Sequence, residues 1–186
     1  MRYLFKYVKR LVYKPPLPQV IMADYHRYKW EDIERGGVLK LVQDVVKSGY
    51  QPDVLIGISK GGVVIASLMS DMLGVPADLM QLSHWGGFGK AKDDVVIKYG
   101  PSIDVKNLSV LLIDDVSDTG MTLNTAKEIL IRLGAREVRT AVLDYKAMSS
   151  KYVPDYYAYK WINWVYIIYP WESFETFKNV GINDAG

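Results

Sequence analysis

The 186-residue sequence contains no cysteine and only two histidines. The first absence excludes a disulfide framework, a thiolate nucleophile and any cysteine-held zinc or iron–sulfur centre. The second leaves two isolated imidazoles, of which His26 reads as an ordinary surface or core residue near the first strand. No run of eighteen apolar residues occurs, so no segment reads as a membrane span. What is present is an ordinary globular balance, 49% apolar and 24% charged, with enough chain for one domain and barely enough for two.

Charge is distributed unevenly. Arg2, Lys6, Lys9, Arg10 and Lys14 crowd the first fourteen residues without an acid, leaving 18 basic residues against 21 acidic ones elsewhere, a net of −3. A basic arm on a slightly acidic body is a poor match to a nucleic-acid binder, whose positive charge spreads over the fold. Lysines interrupt the arm's apolar residues, so it fails as a secretory signal, and a cytoplasmic protein is expected. Leu4, Tyr7, Val8, Leu11 and Val12 share one helical face until Pro15-Pro16 break it. The expected division is an arm, 1–19, that serves association into a homodimer or homotetramer, and a single domain, 20–186.

The body alternates short apolar runs with helical periodicity. Helices are expected at Trp30–Lys47 (weakened by Gly36-Gly37), Val63–Leu73 and Thr122–Leu133, and strands at Val54–Ile58, Ala77–Leu82, Val110–Ile113 and Glu137–Leu143. Repeated strand–turn–helix units imply a parallel sheet covered on both faces. Ligands of such sheets sit at the carboxyl ends of the strands. Residues 83–107 read as a polar flap. The segment 145–177 holds 12 of the 23 aromatics and reads as short strands with turns.

One of the loops entering a helix stands out, in VLLIDDVSDTGMTL at 110–123. An apolar strand meets two adjacent carboxylates, Asp114 and Asp115. Ser117-Asp118-Thr119-Gly120 then opens a helix, where free N–H groups and a glycine suit a phosphate. Acceptors beside a phosphate cradle fit a sugar phosphate. An ordinary turn with an aspartate cap needs one acid; three within five residues exceed that need.

This stretch resembles the phosphoribosyl-diphosphate (PRPP) motif of the type I phosphoribosyltransferases: an apolar strand, two acids, a short linker, then Asp-Thr-Gly-x-Thr. VLIGISKGG at 54–62 is similar to the same family's pyrophosphate loop, and YIIYPWE at 166–172 to its 6-oxopurine branch. The resemblance covers about Val54 to Glu172. It implies an α/β fold of that type, with a parallel sheet, helices on both faces and a small hood from 145–177, while 83–107 forms a flexible loop.

The same resemblance implies roles. Asp114 and Asp115 would hold the ribose hydroxyls directly or through Mg²⁺, with Glu172 reaching a second Mg²⁺ through water. Ser117, Thr119, Gly120, Met121 and Thr122 would hold the 5′-phosphate. Ser59, Lys60 and Gly61 would hold the diphosphate, with the Ser59–Lys60 peptide cis when the site is occupied. Lys146 would donate to the purine O6, Tyr166 would stack on the base, and the Ile167 carbonyl would meet the N2 edge. Asp118 would manage the N7 proton as general base or hydrogen-bond acceptor. The implied reaction transfers phosphoribose from PRPP to hypoxanthine, guanine or xanthine, with no nucleic-acid or membrane partner. Two rivals stand beside it: a PRPP-binding regulator that does not catalyse, and a transferase for uracil, orotate or adenine. Lys146 argues against adenine, whose 6-amino group is itself a donor.

Overall fold

The computed structural model describes residues 25–85 and 94–172; the basic arm, the GGFGK stretch at 86–90 and the end of the aromatic segment lie outside the described residues. The chain runs through β1 (Tyr25–Arg27), a π-helical segment (Asp32–Val38) continuing into α1 (Leu39–Lys47), β2 (Val54–Ile58), α2 (Gly61–Leu73), β3 (Ala77–Trp85) and β4 (Asp94–Tyr99). It continues through β5 (Ser109–Ser117), α3 (Met121–Arg132), β6 (Glu137–Lys146), β7 (Tyr156–Trp161) and β8 (Tyr166–Ile168). Six strands form one sheet in the order β4-β3-β2-β5-β6-β7, parallel except for the edge strand β4. The expected α/β architecture is therefore present.

Alternating side chains divide the central strands between two cores. Leu55, Leu111, Ile113 and Leu143 pack on one face with Leu41 and Val45 of α1 and Ile65 and Met69 of α2. Ile56, Ile58, Leu112 and Val142 pack on the other with Leu123, Ala126 and Leu130 of α3. Each large side chain fully buried in this way contributes about 1.5–3 kcal/mol. Gly36 and Gly37 have a packing reason as well. A Cβ on Gly36 would meet the Tyr159 hydroxyl at 2.6 Å and one on Gly37 the Leu143 side chain at 2.6 Å. Their lack of side chains lets this helix lie directly on the sheet.

Three boundaries differ from the sequence reading. β5 does not stop at Ile113 but carries both acids inside the strand as far as Ser117, because β6 also runs on to Lys146 and supplies pairing partners up to Ser117–Tyr145. The described part of the 83–107 flap is a β-arm, since β3 extends to Trp85 and β4 pairs back on it antiparallel. Its apolar Val95-Val96-Ile97 run lies in that returning strand. The aromatic segment splits: β7 joins the main sheet beside β6, whereas β8 pairs with β1 in a separate two-stranded parallel sheet that forms the hood.

Candidate active site

The carboxyl ends of β2 and β5 meet above the sheet, because the two strands are parallel neighbours. Ser59, Lys60 and Gly61 follow β2, and the Ser59–Lys60 peptide is cis. Together with Asp114, Asp115, Thr122, Trp171 and Glu172 they line a pocket of about 340 Å³. A second pocket, of about 460 Å³, is lined by the unbroken run Asp114–Leu123 and shares the acid pair with the first. Gly61 is required by this closeness: a Cβ there would overlap the Asp115 carboxylate. Gly120 has a different reason, a φ of 81° at the residue that opens α3.

The phosphate turn is held from behind by a segment that sequence reasoning did not single out. The Ser117 and Ser150 hydroxyls are hydrogen-bonded at 2.9 Å. The Lys151 amide donates to the Thr119 carbonyl at 3.0 Å. Ser149 Oγ lies 2.9 Å from the Asp118 carbonyl and 3.0 Å from Asp118 Oδ1. Ser117 is thus buried at the end of a strand and bonded to Ser150, while Asp118 and Thr119 are exposed at the turn. Nothing in the sequence pattern distinguishes Ser149-Ser150 from an ordinary polar turn.

Across this turn stands Lys146, the last residue of β6. Its side chain is largely buried, and Nζ lies 3.6 Å from Asp118 Oδ2 and 5.9 Å from the centre of the exposed Trp164 ring. Trp164 is a neighbour of the lysine that sequence reasoning missed among so many aromatics. Tyr166 and Ile167 line neither pocket but lie in β8, where Ile167 is buried. The Tyr28 amide donates to the Ile168 carbonyl at 3.0 Å, so the Ile167 carbonyl points away from β1, towards the opposite edge of β8.

Burial, then the charge of Asp115, pushes the Asp114 carboxyl well above the ordinary carboxylate range. Burial raises Asp115 too, against the opposing hydrogen bond from the Val116 amide at 2.8 Å. Glu172 is raised by burial and by Asp115, and lowered by the Tyr169 amide and Lys60. Such acids destabilise the unliganded fold once they ionise. We predict that Asp114→Asn, which can still accept the Asp115 amide bond, raises the melting temperature of the ligand-free protein, by about 0.5–2 kcal/mol of stability. Because the folded-state value is raised, the gain belongs to pH above 3.8 and disappears in acid, where wild type is protonated as well. Melting curves at pH 4 and pH 8 check this; a variant less stable than wild type at pH 8 refutes the repulsion.

A mostly parallel α/β sheet with an acid pair, a helix-opening turn and a cation-bearing loop at the carboxyl ends of its strands has the chemistry to take a phosphorylated sugar. The family model described as "Phosphoribosyl transferase domain" matches residues 29–174, and the chain belongs to that family. A purine phosphoribosyltransferase structure from Pyrococcus horikoshii superposes with a TM-score of 0.70 at 32% identity, covering 82% of this chain and 97% of that one. The hypoxanthine-guanine phosphoribosyltransferase of Aquifex aeolicus is 29% identical over 127 residues, 63% of this chain and 68% of that protein. The orotate phosphoribosyltransferase of Sulfurisphaera tokodaii is 32% identical over 105 residues, but this chain matches only 50% of its length.

Proposed function

We propose that this chain is a purine-salvage phosphoribosyltransferase that joins a 6-oxopurine to PRPP, giving the nucleoside 5′-monophosphate and diphosphate. The observation that carries the reading is the pairing of Lys146 with Asp118 at the mouth of the phosphate turn. A base brought to this pair meets a donor and an acceptor side by side. That is the pattern of a 6-oxopurine, whose O6 accepts and whose N7 gives up a proton. Lys146 orients the base, Tyr166 stacks on it and the Ile167 carbonyl takes its N2 edge. Asp118 acts as general base. Ser117 and Thr119 to Thr122 bind the 5′-phosphate, helped by the N-terminus of α3. Ser59, Lys60 and Gly61 hold the diphosphate as it departs.

The acid pair suits Mg²⁺. Adjacent half-buried carboxylates that repel one another are relieved by a cation, and Mg²⁺ is commonly held by one or two carboxylates plus substrate phosphates and water. Asp114 and Asp115 would hold it, and Glu172 would reach a second Mg²⁺ through water. When bound, it would neutralise charge on the diphosphate.

Among the described residues no helix is long and apolar enough to cross a membrane. A cytoplasmic, homo-oligomeric enzyme is our working assignment, with the arm at 1–19 serving association.

Incubation with PRPP, Mg²⁺ and separate bases, with products identified by mass, tests the function. Nucleotide formed from hypoxanthine, guanine or xanthine is expected. Product from orotate, uracil or adenine alone would move the protein to another branch. PRPP binding without any product would make it a regulator.

A further inference from the structure

Lys146 and the four residues after it form a tight turn, closed by the Ser149 and Ser150 amides donating to the Lys146 carbonyl at 3.2 and 2.9 Å. Two consecutive hydroxyls leave this turn in different directions. Ser150 reaches the buried Ser117 and accepts the Tyr152 amide at 3.4 Å, so it belongs to the wall behind the phosphate turn. Ser149 reaches the carboxylate of Asp118 itself. The two oxygens of Asp118 are thereby distinguished: Oδ1 faces Ser149 at 3.0 Å, and Oδ2 faces Lys146 at 3.6 Å. Both partners come from the same short turn, so the geometry of the general base is set by the segment that carries the O6 donor.

We propose that Ser149 is a positioning residue for Asp118: it holds Oδ1 and so aims Oδ2 at the proton to be removed, whereas Ser150 supports phosphate binding alone. This rests on the reading of Asp118 as general base. An exposed carboxylate attached to a turn rotates freely about its side-chain torsions unless something fixes it. Lys146 cannot both fix Oδ2 and donate to a bound base, because its ammonium must turn towards O6 when the base arrives. Ser149 makes no such demand. Its single proton is shared between the Asp118 carbonyl and Oδ1, so it ties the side chain to its own backbone and leaves Oδ2 open. Orientation of this kind acts on the chemical step rather than on substrate binding.

The test sets neighbouring variants against one another. Ser149→Ala is expected to lower kcat about tenfold, the lower end for losing a hydrogen bond to a charged group, with the KM for PRPP within twofold. Ser149→Thr, which restores the hydroxyl, should recover most of kcat. Ser150→Ala should instead raise the KM for PRPP severalfold and leave kcat nearly intact. A Ser149→Ala variant that raises the KM for PRPP with kcat unchanged, or a threonine variant as slow as the alanine one, overturns the assignment.

A second readout does not depend on turnover. In protein labelled with ¹³C at the aspartate carboxyls, the Asp118 signal should move in Ser149→Ala, return in Ser149→Thr and stay in place in Ser150→Ala. An Asp118 signal indifferent to Ser149 refutes the contact whatever the enzyme does. A signal that moves in a protein inert towards every purine keeps the contact and refutes the purine reading.

Discussion

Asp118→Asn is expected to lower kcat by about 10²–10⁴, the range for a lost general base, while the protein still folds and binds nucleoside monophosphate. The amide keeps an oxygen for Ser149 but places a donor where Oδ2 now faces Lys146 at 3.6 Å. Its replacement can neither take the N7 proton nor remain a charge partner for the lysine. The exposure of Asp118 makes the expectation sharp, since no core contact is disturbed and the melting temperature should stay close to wild type. Steady-state rates with hypoxanthine and guanine, beside nucleotide binding by calorimetry, check it. Turnover within a fewfold of wild type would remove Asp118 from the chemistry and leave it as part of the turn.

The largest effect on stability is expected at Asp144, a fully buried carboxylate in β6 that takes no part in the proposed reaction. Tyr28 and Trp161 donate to its Oδ1 at 2.8 and 2.6 Å, and Tyr169 donates to Oδ2 at 2.6 Å. Burial raises its carboxyl above the usual range, and the three hydrogen bonds oppose that rise. Asp144→Ala would leave Tyr28 and Trp161 without their acceptor, at about 1–3 kcal/mol for each that stays unsatisfied, whereas Tyr169 keeps the Asp115 carbonyl at 3.2 Å. The loss should therefore be about 2–6 kcal/mol, a large share of an ordinary domain's stability. A fall in melting temperature of about 4 °C or more is expected. Asp144→Asn, which keeps one accepting oxygen, should lose much less. Equal losses for the two variants would show that packing rather than hydrogen bonding decides this position.

The same network reaches the site. Tyr169 lies flat against Trp171, with ring centres 4.8 Å apart and planes 6° from parallel, and its hydroxyl also approaches the Asp115 carbonyl at 3.2 Å. The Tyr169 amide donates to Glu172 at 3.2 Å. Local destabilisation at Asp144 should thus loosen Trp171 and Glu172 over the acid pair.

The sequence made legible those parts whose chemistry is written in consecutive residues. Val54–Gly62 and Val110–Thr122 each hold a strand, a turn and a helix start, so their alternation and their loop residues could be read together. The helix at Thr122 and the strand at Glu137 were placed within a residue at their starts. Contacts between distant segments were not legible. Ser149, Trp164 and Tyr169 acquire their meaning from what the fold brings opposite them: Asp118, Lys146 and Asp144. The antiparallel arm formed by β3 and β4 was hidden for a related reason. Its pairing joins Gln81–Trp85 to Asp94–Tyr99, two separate segments of the chain, and neither run names its partner.

The pairing of Ser117 with Tyr145 has a consequence for how this site can change. The phosphate turn starts one residue after Ser117, and the lysine sits one residue after Tyr145. The distance from phosphate grip to base reader is therefore counted out in residues along two hydrogen-bonded strands, as on a ruler. Adding one residue within 137–146 would shift Lys146 by about 3.3 Å and turn its side chain to the opposite face of the sheet. Extra residues in the connection between α3 and β6 would leave the count untouched. Divergence in base preference among related chains should accordingly come from substitutions at the ends of these strands, with changes of length confined to the loops between elements.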